Sequence, residues 1–429
     1  MQTRPVYIAG GIRTPFVKSM GTYADVSTQD LMIAALQALV KKMHLENQIV
    51  GDVGLGAVIN SPFNWNLARE SVLGTDLNPH TPGFTLQRAC GTSLETTLLL
   101  ALKIANFQID DGIAAGVDTN SDFPVSFPRS FAAKLNVIQK AKDFKEKLQA
   151  YTAFRPSDLR PQFPEVVEPR TGLSMGQHTE KMVKEWGISR QAQDELTVAS
   201  HQKAAKAYEE GFYDDLVMDF MGLKKDGIVR EDTSMEKLAR LKTVFDTSDS
   251  GTMTAGNSTP LTDGSSAVYL VSEELAHRND HPLLARFVDA QVAAVNYVAG
   301  EGLLMAPTIA VSQLLARNNL TLQDFDFYEI HEAFAGQVLC TFKAWESAEY
   351  CQRVLNRQQP MGAIDRNKLN VKGGSVAPGH PFAATGTRIV ASLAKMLHQK
   401  GSGRGLISIC TAGGMGIAAI MEALVPCHH

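Results

Sequence analysis

The run Cys90-Gly91-Thr92-Ser93-Leu94-Glu95-Thr96-Thr97-Leu98-Leu99-Leu100-Ala101-Leu102-Lys103-Ile104-Ala105-Asn106-Phe107, followed by Gly112-Ile113-Ala114-Ala115-Gly116-Val117, decides the fold. Segment 93–107 places Leu94, Leu98, Leu99, Leu100, Ile104 and Phe107 nearly all round a helix, which suits burial between layers rather than a surface position. Residues 112–117 read as a short buried strand. Working back toward the N-terminus, short apolar runs alternate with helical patterns: Val6 to Ala9, Ser27 to Lys42, then Gly54 to Asn60. The alternation predicts βαβ units and a mostly parallel sheet covered by helices on both faces.

The last third repeats this layout, with strands at Leu284 to Val288, Phe325 to Ile330 and Gly405 to Cys410, and helices at Thr308 to Asn318 and Ala384 to Leu397. Laying Ile113-Ala114-Ala115-Gly116 over Ile407-Ser408-Ile409-Cys410 carries Cys90 onto Ala384. The order of elements, rather than residue identity, suggests two similar halves. Between them the texture changes. Residues 129–151 carry Arg129, Lys134, Lys140, Lys142, Lys145 and Lys147 against Asp143 and Glu146, with Leu135, Ile138, Phe144, Leu148 and Tyr151 at helical spacing. This predicts one basic amphipathic helix that packs on the body, lines a substrate tunnel, or docks on a partner or membrane surface. A Pro-broken stretch and two polar helices, around Thr179 to Glu185 and Arg190 to Gly211, complete the excursion.

With 429 residues, 44% hydrophobic and 20% charged, the chain can build a large core. A formal net charge of -4 leaves no basic field for nucleic acid. The five cysteines, at 90, 340, 351, 410 and 427, form no C-x-x-C pair, which argues against a disulfide framework or zinc ribbon and for a reducing compartment. The start of the chain reads as a first strand rather than a signal peptide. No apolar run approaches the roughly 18 residues of a membrane span, so the expectation is a soluble, cytoplasmic protein. Pro426-Cys427-His428-His429 are given no role.

Several residues could carry chemistry. Cys90 precedes the buried helix, whose N-terminal dipole and free N–H groups favour a thiolate, although a free cysteine is most often a small buried hydrophobe. His380 sits in Gly373-Gly374-Ser375-Val376-Ala377-Pro378-Gly379-His380-Pro381, held by backbone geometry as a base near a nucleophile would be; the alternative is a loop histidine satisfied by carbonyls. Cys410 ends a strand and enters Thr411-Ala412-Gly413-Gly414-Met415-Gly416, whose peptide N–H groups could converge on an anion. His331-Glu332-Ala333-Phe334-Ala335 follows the strand at 325–330. In a parallel sheet, His331 and Cys410 both emerge at the strand ends where ligands bind. The second histidine of H-E-x-x-H is missing, so no metal is assigned there. Phosphate-loop, dinucleotide-fold and hydrolase-elbow motifs are absent from the sequence.

Taken together, Cys90 before a buried helix, Thr254-Ala255-Gly256-Asn257-Ser258, His331-Glu-Ala-Phe-Ala, Gly379-His380-Pro381 and Cys410-x-x-Gly-Gly-x-Gly resemble the thiolase family in type and order. Arg13-Thr14-Pro15-Phe16 and Met175-Gly176 extend the likeness over nearly the whole chain. His331, where many thiolases have asparagine, and the basic insert look most like the β subunit of the fatty-acid oxidation (trifunctional) complex.

The resemblance implies an α/β fold, a duplicated α-β-α-β-α five-layer sandwich with an inserted loop domain. Residues 1–125 with 251–275 would form one half, 126–250 the loop domain and 276–429 the other half. It implies exchange of 3-oxoacyl-CoA plus CoA with acyl-CoA plus acetyl-CoA, with a biosynthetic acetoacetyl-CoA-forming acetyltransferase as the alternative. Cys90 would carry the acyl group, His380 would take its proton, Cys410 would move the α-proton and His331 would hold a water. Backbone N–H groups of Cys90 and Ala412 would stabilise the tetrahedral intermediate, while Ala255, Ser258, Thr259, Ala333 and Phe334 would contact coenzyme A. Coenzyme A and acyl-CoA are expected as substrates with no permanently bound cofactor. The expected partners are a second copy or a dimer of dimers, an α subunit, and peripheral membrane contact.

The sequence departs from the family at Leu94 near the nucleophile, at Ser174, where some thiolases have a channel histidine, and at Ala412, which replaces a glycine. These affect acyl specificity and coenzyme A contacts. Cys410 argues against a decarboxylating ketoacyl synthase, and Cys90, His380 and Cys410 together argue against a catalytically silent lipid carrier.

Overall fold

The computed structural model describes residues 3–163 and 166–424; Cys427 and its neighbours lie outside the described residues. The first part of the chain forms β1 (Val6–Arg13), β2 (Val17–Lys18), α1 (Thr28–Lys42), β3 (Val53–Gly56), α2 (Leu67–Leu73), β4 (Gly83–Thr85), α3 (Thr92–Ala105) and β5 (Asp111–Asp118). The middle adds α4 (Arg129–Lys140), α5 (Phe144–Thr152), β6 (Val167–Glu168), β7 (Leu173–Ser174), α6 (Met175–Glu185), α7 (Arg190–Glu209) and α8 (Met235–Ala239). The remainder forms β8 (Thr262–Ser272), α9 (Glu273–Asn279), β9 (Ala285–Ala294), α10 (Ala306–Arg317), β10 (Phe327–Ile330), α11 (Ala335–Glu346), α12 (Ala348–Arg353), α13 (Thr385–Lys400), β11 (Arg404–Thr411) and β12 (Met415–Glu422).

The main sheet runs β10-β11-β12-β9-β1-β8-β5-β3-β4, with β2 paired to β8. Its two sides repeat one order: β9-β12-β11-β10 matches β1-β8-β5-β3. They join antiparallel where Val6 faces Phe287 and Ile8 faces Ala285. The expectation of a mostly parallel sheet is corrected. Among the described residues only β10 with β11, β3 with β4 and β3 with β5 run parallel; β8 and β12 are antiparallel to every strand they pair with. The cause differs between the halves: β8 returns beside β5 only after the excursion of residues 119–261, whereas β12 follows β11 through a tight turn. In the second half, Gly413 (φ 76) and Gly414 (φ 70) take the left-handed conformation that lets β11 fold straight back into β12.

Helices α1 and α2 cover one side of this sheet, α10 covers the far side of the other half with α11 packed beside it against α6 and α7, and α3 and α13 lie between the halves. Three buried clusters fill these interfaces, the central one including Leu94, Leu100, Ile389, Val390 and Leu393. The first turns of α3 are buried throughout, whereas Leu102 and Phe107 near its end are about half exposed. The central helices touch through glycine. A Cβ at Gly386 would lie 2.3 Å from the Leu94 backbone nitrogen, so only a residue without one allows this crossing.

The basic segment 129–151 is not one helix. Asp143 accepts the Glu146 N–H at 2.8 Å, and Glu146 accepts the Lys142 N–H at 2.8 Å; this reciprocal cap starts α5 after a break at Ala141. Its apolar stripe is buried only at Ile138; Leu135, Phe144, Leu148 and Tyr151 are exposed. Among the described residues no helix is long and apolar enough to cross a membrane.

Candidate active site

Four segments from both halves meet at one buried point. Cys90 arrives through a strained turn: Ala89 has φ 43, a left-handed conformation rare for a residue with a Cβ. Thr92 holds the turn, its hydroxyl donating to the Ala89 carbonyl at 2.7 Å and accepting the Arg88 N–H at 2.9 Å. Gly91 is required here because a Cβ would come within 2.8 Å of Ile417 on β12.

His380 is placed by a second turn, with Gly379 at φ 104. Asp118, at the end of β5, accepts N–H groups from Val58, Ile59 and Ala383, tying the segment after His380 to the other half. The His380 Nδ1 lies 2.5 Å from Thr385 Oγ1, and its Nε2 is buried without a partner. His331 follows β10, with Nδ1 2.7 Å from Ser375 Oγ and Nε2 likewise unpartnered. Ser375 also accepts from Arg388 at 2.7 Å. The two imidazoles sit with centroids 4.1 Å apart. One ring nitrogen from each and the Cys90 sulfur lie within 4.8 Å of one another.

Cys410 completes the set at the end of β11, buried close enough to Cys90 for their charges to interact; the Ala333 N–H faces its sulfur. The Ala412 N–H faces the Cys90 sulfur. Behind that turn, Gly413 N–H donates to Glu168 Oε1 at 2.9 Å. Glu332, next to His331, does not face this point. Its buried carboxylate accepts from Ser200 at 2.8 Å and Asn370 at 2.6 Å, and a Cβ at Gly374 would strike it.

The electrostatics reverse one expectation. Burial pushes the Cys90 thiol up to about 12, outweighing the hydrogen bond from Ala412 N–H that favours thiolate. Burial, then the Arg388 cation, lowers His380 to about 3. Burial, His380 and Arg388 hold His331 well below its ordinary value, and burial raises Cys410 well above its own. Burial thus favours thiol and neutral imidazole over a thiolate–imidazolium pair in the resting centre. The dipole argument applies to an exposed helix end, and this one is buried.

The loop ahead of β8 is stitched to the segment after His331. Thr259 donates its N–H at 3.1 Å and its hydroxyl at 3.0 Å to the Ala333 carbonyl, and Ser258 bridges Phe334. Thus Ser258, Thr259, Ala333 and Phe334 come together, while Ala255 is exposed on the same loop. Arg13 is structural: its guanidinium grips Asp226 with contacts of 2.5 and 2.7 Å, and Asp226 also accepts from Tyr208 and Phe16 N–H. Sequence reasoning missed Ser375, Thr385, Arg388, Asp118 and Glu168. The first two lie within or just beyond the Gly-rich stretch around His380; Glu168 carried no local signal.

A buried thiol, an unpartnered imidazole and nearby peptide N–H groups are parts that acyl transfer through a cysteine would use. The profile "Thiolase, N-terminal domain" matches residues 6–274, and "Thiolase, C-terminal domain" matches residues 281–423. Among curated proteins, the chain is 38% identical over 423 residues to a 3-ketoacyl-CoA thiolase of Shewanella sp. (strain W3-18-1), covering 97% of this chain and 96% of that one. A 3-ketoacyl-CoA thiolase of Yersinia pestis (strain Pestoides F) is 36% identical with the same coverage. Among solved structures, Bacillus anthracis acetyl-CoA acetyltransferase superposes with a TM-score of 0.80 at 30% identity, covering 99% of this chain and 100% of that one. Human mitochondrial 3-ketoacyl-CoA thiolase gives a TM-score of 0.80 at 25% identity with the same coverage. The chain belongs to the thiolase family.

Proposed function

We propose that the protein exchanges 3-oxoacyl-CoA plus CoA with acyl-CoA plus acetyl-CoA in fatty-acid β-oxidation. The convergence of Cys90, His331 and His380 within 4.8 Å, with Cys410 beside Cys90, carries this reading. In thiolysis the Cys90 sulfur attacks the 3-oxo carbon and its proton passes to His380 Nε2. Because the resting pair is neutral, this proton moves as the sulfur–carbon bond forms. The N–H groups of Cys90 and Ala412 bind the oxygen of the tetrahedral intermediate. Cleavage of the carbon–carbon bond expels the acetyl-CoA enolate, whose oxygen is stabilised by His380 and a water on His331, and Cys410 protonates its α-carbon. His380 passes the proton it took from Cys90 to the Cys410 thiolate; neutral again, it deprotonates the incoming CoA thiol, which takes the acyl group, and returns that proton to the departing Cys90 sulfur. Condensation is the reverse, with Cys410 as base.

Ala255, Ser258, Thr259, Ala333 and Phe334 form the coenzyme A contact strip, with no permanent cofactor. A thiolysis series from four-carbon to sixteen-carbon 3-oxoacyl-CoA tests the reading. Turnover throughout the series or at its long end supports β-oxidation. Activity confined to acetoacetyl-CoA favours the acetyltransferase alternative, and none at any length rejects both.

The expected setting is a cytoplasmic homodimer or dimer of dimers that docks an α subunit through 129–170, with peripheral membrane contact. The exposed apolar side chains Val137, Phe144, Leu148 and Tyr151 beside lysines motivate the docking. Changing Lys140, Lys142, Lys145 and Lys147 to glutamate should reduce co-purification with the α subunit or vesicle binding at least tenfold, with acetyl-CoA chemistry unchanged. Unaltered association with both rejects this surface.

A further inference from the structure

We propose that the Cys90–His331–His380 cluster is also a binding site for a soft divalent cation, Zn²⁺ above all, which inhibits the enzyme reversibly. The donor set is one thiol and two imidazoles, all fully or nearly fully buried, with the three donor atoms within 4.8 Å of one another. Zinc bound to a thiolate and two imidazoles brings its ligands to separations of about 3.5 Å, given bonds of about 2.3 and 2.0 Å. Closing onto a cation therefore asks for movement on the order of 1 Å, within reach of the Cys90 side-chain rotamer.

Two features make this more than proximity. Both Nε2 atoms are buried with no hydrogen-bond partner, a cost to the fold that a cation would remove. Both Nδ1 atoms are held by hydroxyls, His331 by Ser375 at 2.7 Å and His380 by Thr385 at 2.5 Å. Metal-binding imidazoles need such partners to fix the ring and present the other nitrogen. Binding replaces the Cys90 S–H bond with an S–Zn bond and releases one proton to solvent, with no change of oxidation state. The buried Arg388 charge opposes a cation here, and the thiolate formed on binding supplies the compensating negative charge. Three protein ligands leave a fourth position for water, as in open zinc sites. The bound sulfur is no longer free to attack a carbonyl, so the cation acts as an inhibitor rather than a cofactor.

Co²⁺ serves as the spectroscopic probe on the purified full-length protein, kept reduced with a phosphine. The expected result is one equivalent per chain with a thiolate-to-cobalt charge-transfer band, displaced by Zn²⁺, and parallel loss of activity restored by chelator. Alkylation of Cys90 with iodoacetamide, verified by peptide mass, should abolish the band. The variant H331A should weaken Zn²⁺ binding at least tenfold, while C340A, at a buried cysteine away from the cluster, binds as the unmodified protein does. A band that survives Cys90 alkylation, or Zn²⁺ affinity unchanged in H331A, overturns the proposal. So does the absence of binding at about millimolar cation.

Discussion

Replacing Cys410 with alanine should leave acetylation of Cys90 by acetyl-CoA intact while lowering thiolysis and condensation by about 10³ to 10⁴. The separation follows from geometry. In the proposed mechanism Cys90, the free Nε2 of His380 and the Ala412 N–H form the acylation apparatus, and none depends on the Cys410 sulfur for position. The Cys410 sulfur faces Ala333 N–H at the end of β11, on the same strand ends as His331. Alanine fills the buried position with a smaller apolar group, so the substitution removes the proposed proton carrier and leaves the Ala333 N–H without its sulfur partner. Peptide mass spectrometry for the adduct and a CoA-dependent thiolysis assay check both halves. Near-normal thiolysis in the variant would assign the α-proton to another group.

Replacing Gly386 with valine should destabilise the protein by about 3 kcal/mol or more, or prevent folding. The new Cβ would sit 2.3 Å from the Leu94 backbone nitrogen, where no side chain can rotate away. Either α13 or α3 must shift, and these helices start beside His380 and Cys90 respectively. Activity should therefore fall with the fold. Gly401 is the control: it is left-handed at φ 71, and a Cβ there would meet nothing within 4 Å, so alanine should cost about 1 kcal/mol through backbone strain alone. Urea unfolding midpoints of the two variants test the contrast. A wild-type midpoint for Gly386→Val would mean that α3 and α13 do not cross as described.

The buried helix, the first strand and the strands ending at His331 and Cys410 were legible because apolar runs there are uninterrupted and bounded by turn residues. The antiparallel character of the sheet was not. Strand β8 begins Thr262-Asp263-Gly264-Ser265-Ser266, polar residues that disguise a wholly buried strand; Ser265 and Ser266 hydrogen-bond to backbone carbonyls instead of water. Strand β12 was hidden by the glycines that make its turn. The break between α4 and α5 was written in Asp143 and Glu146, a cap that helical periodicity outvoted.

At the site, positions were easier to read than energetics. Cys90, His331, His380 and Cys410 lie at strand ends and helix starts, so local patterns locate them. The protonation state of Cys90 depends on its burial and then on Ala412, Asp118 and Glu168, all distant in sequence. Glu168, which holds the Gly413 N–H from a two-residue strand in the middle region, is visible only once the halves are assembled.

The central claim, that Cys90 is the residue that carries the acyl group, is tested most directly by incubating the protein with acetyl-CoA and mapping the adduct by peptide mass. A single increment of about 42 Da is expected on the Cys90 peptide, discharged when free CoA is added. An increment on Cys410 instead, or none on any cysteine, would contradict it.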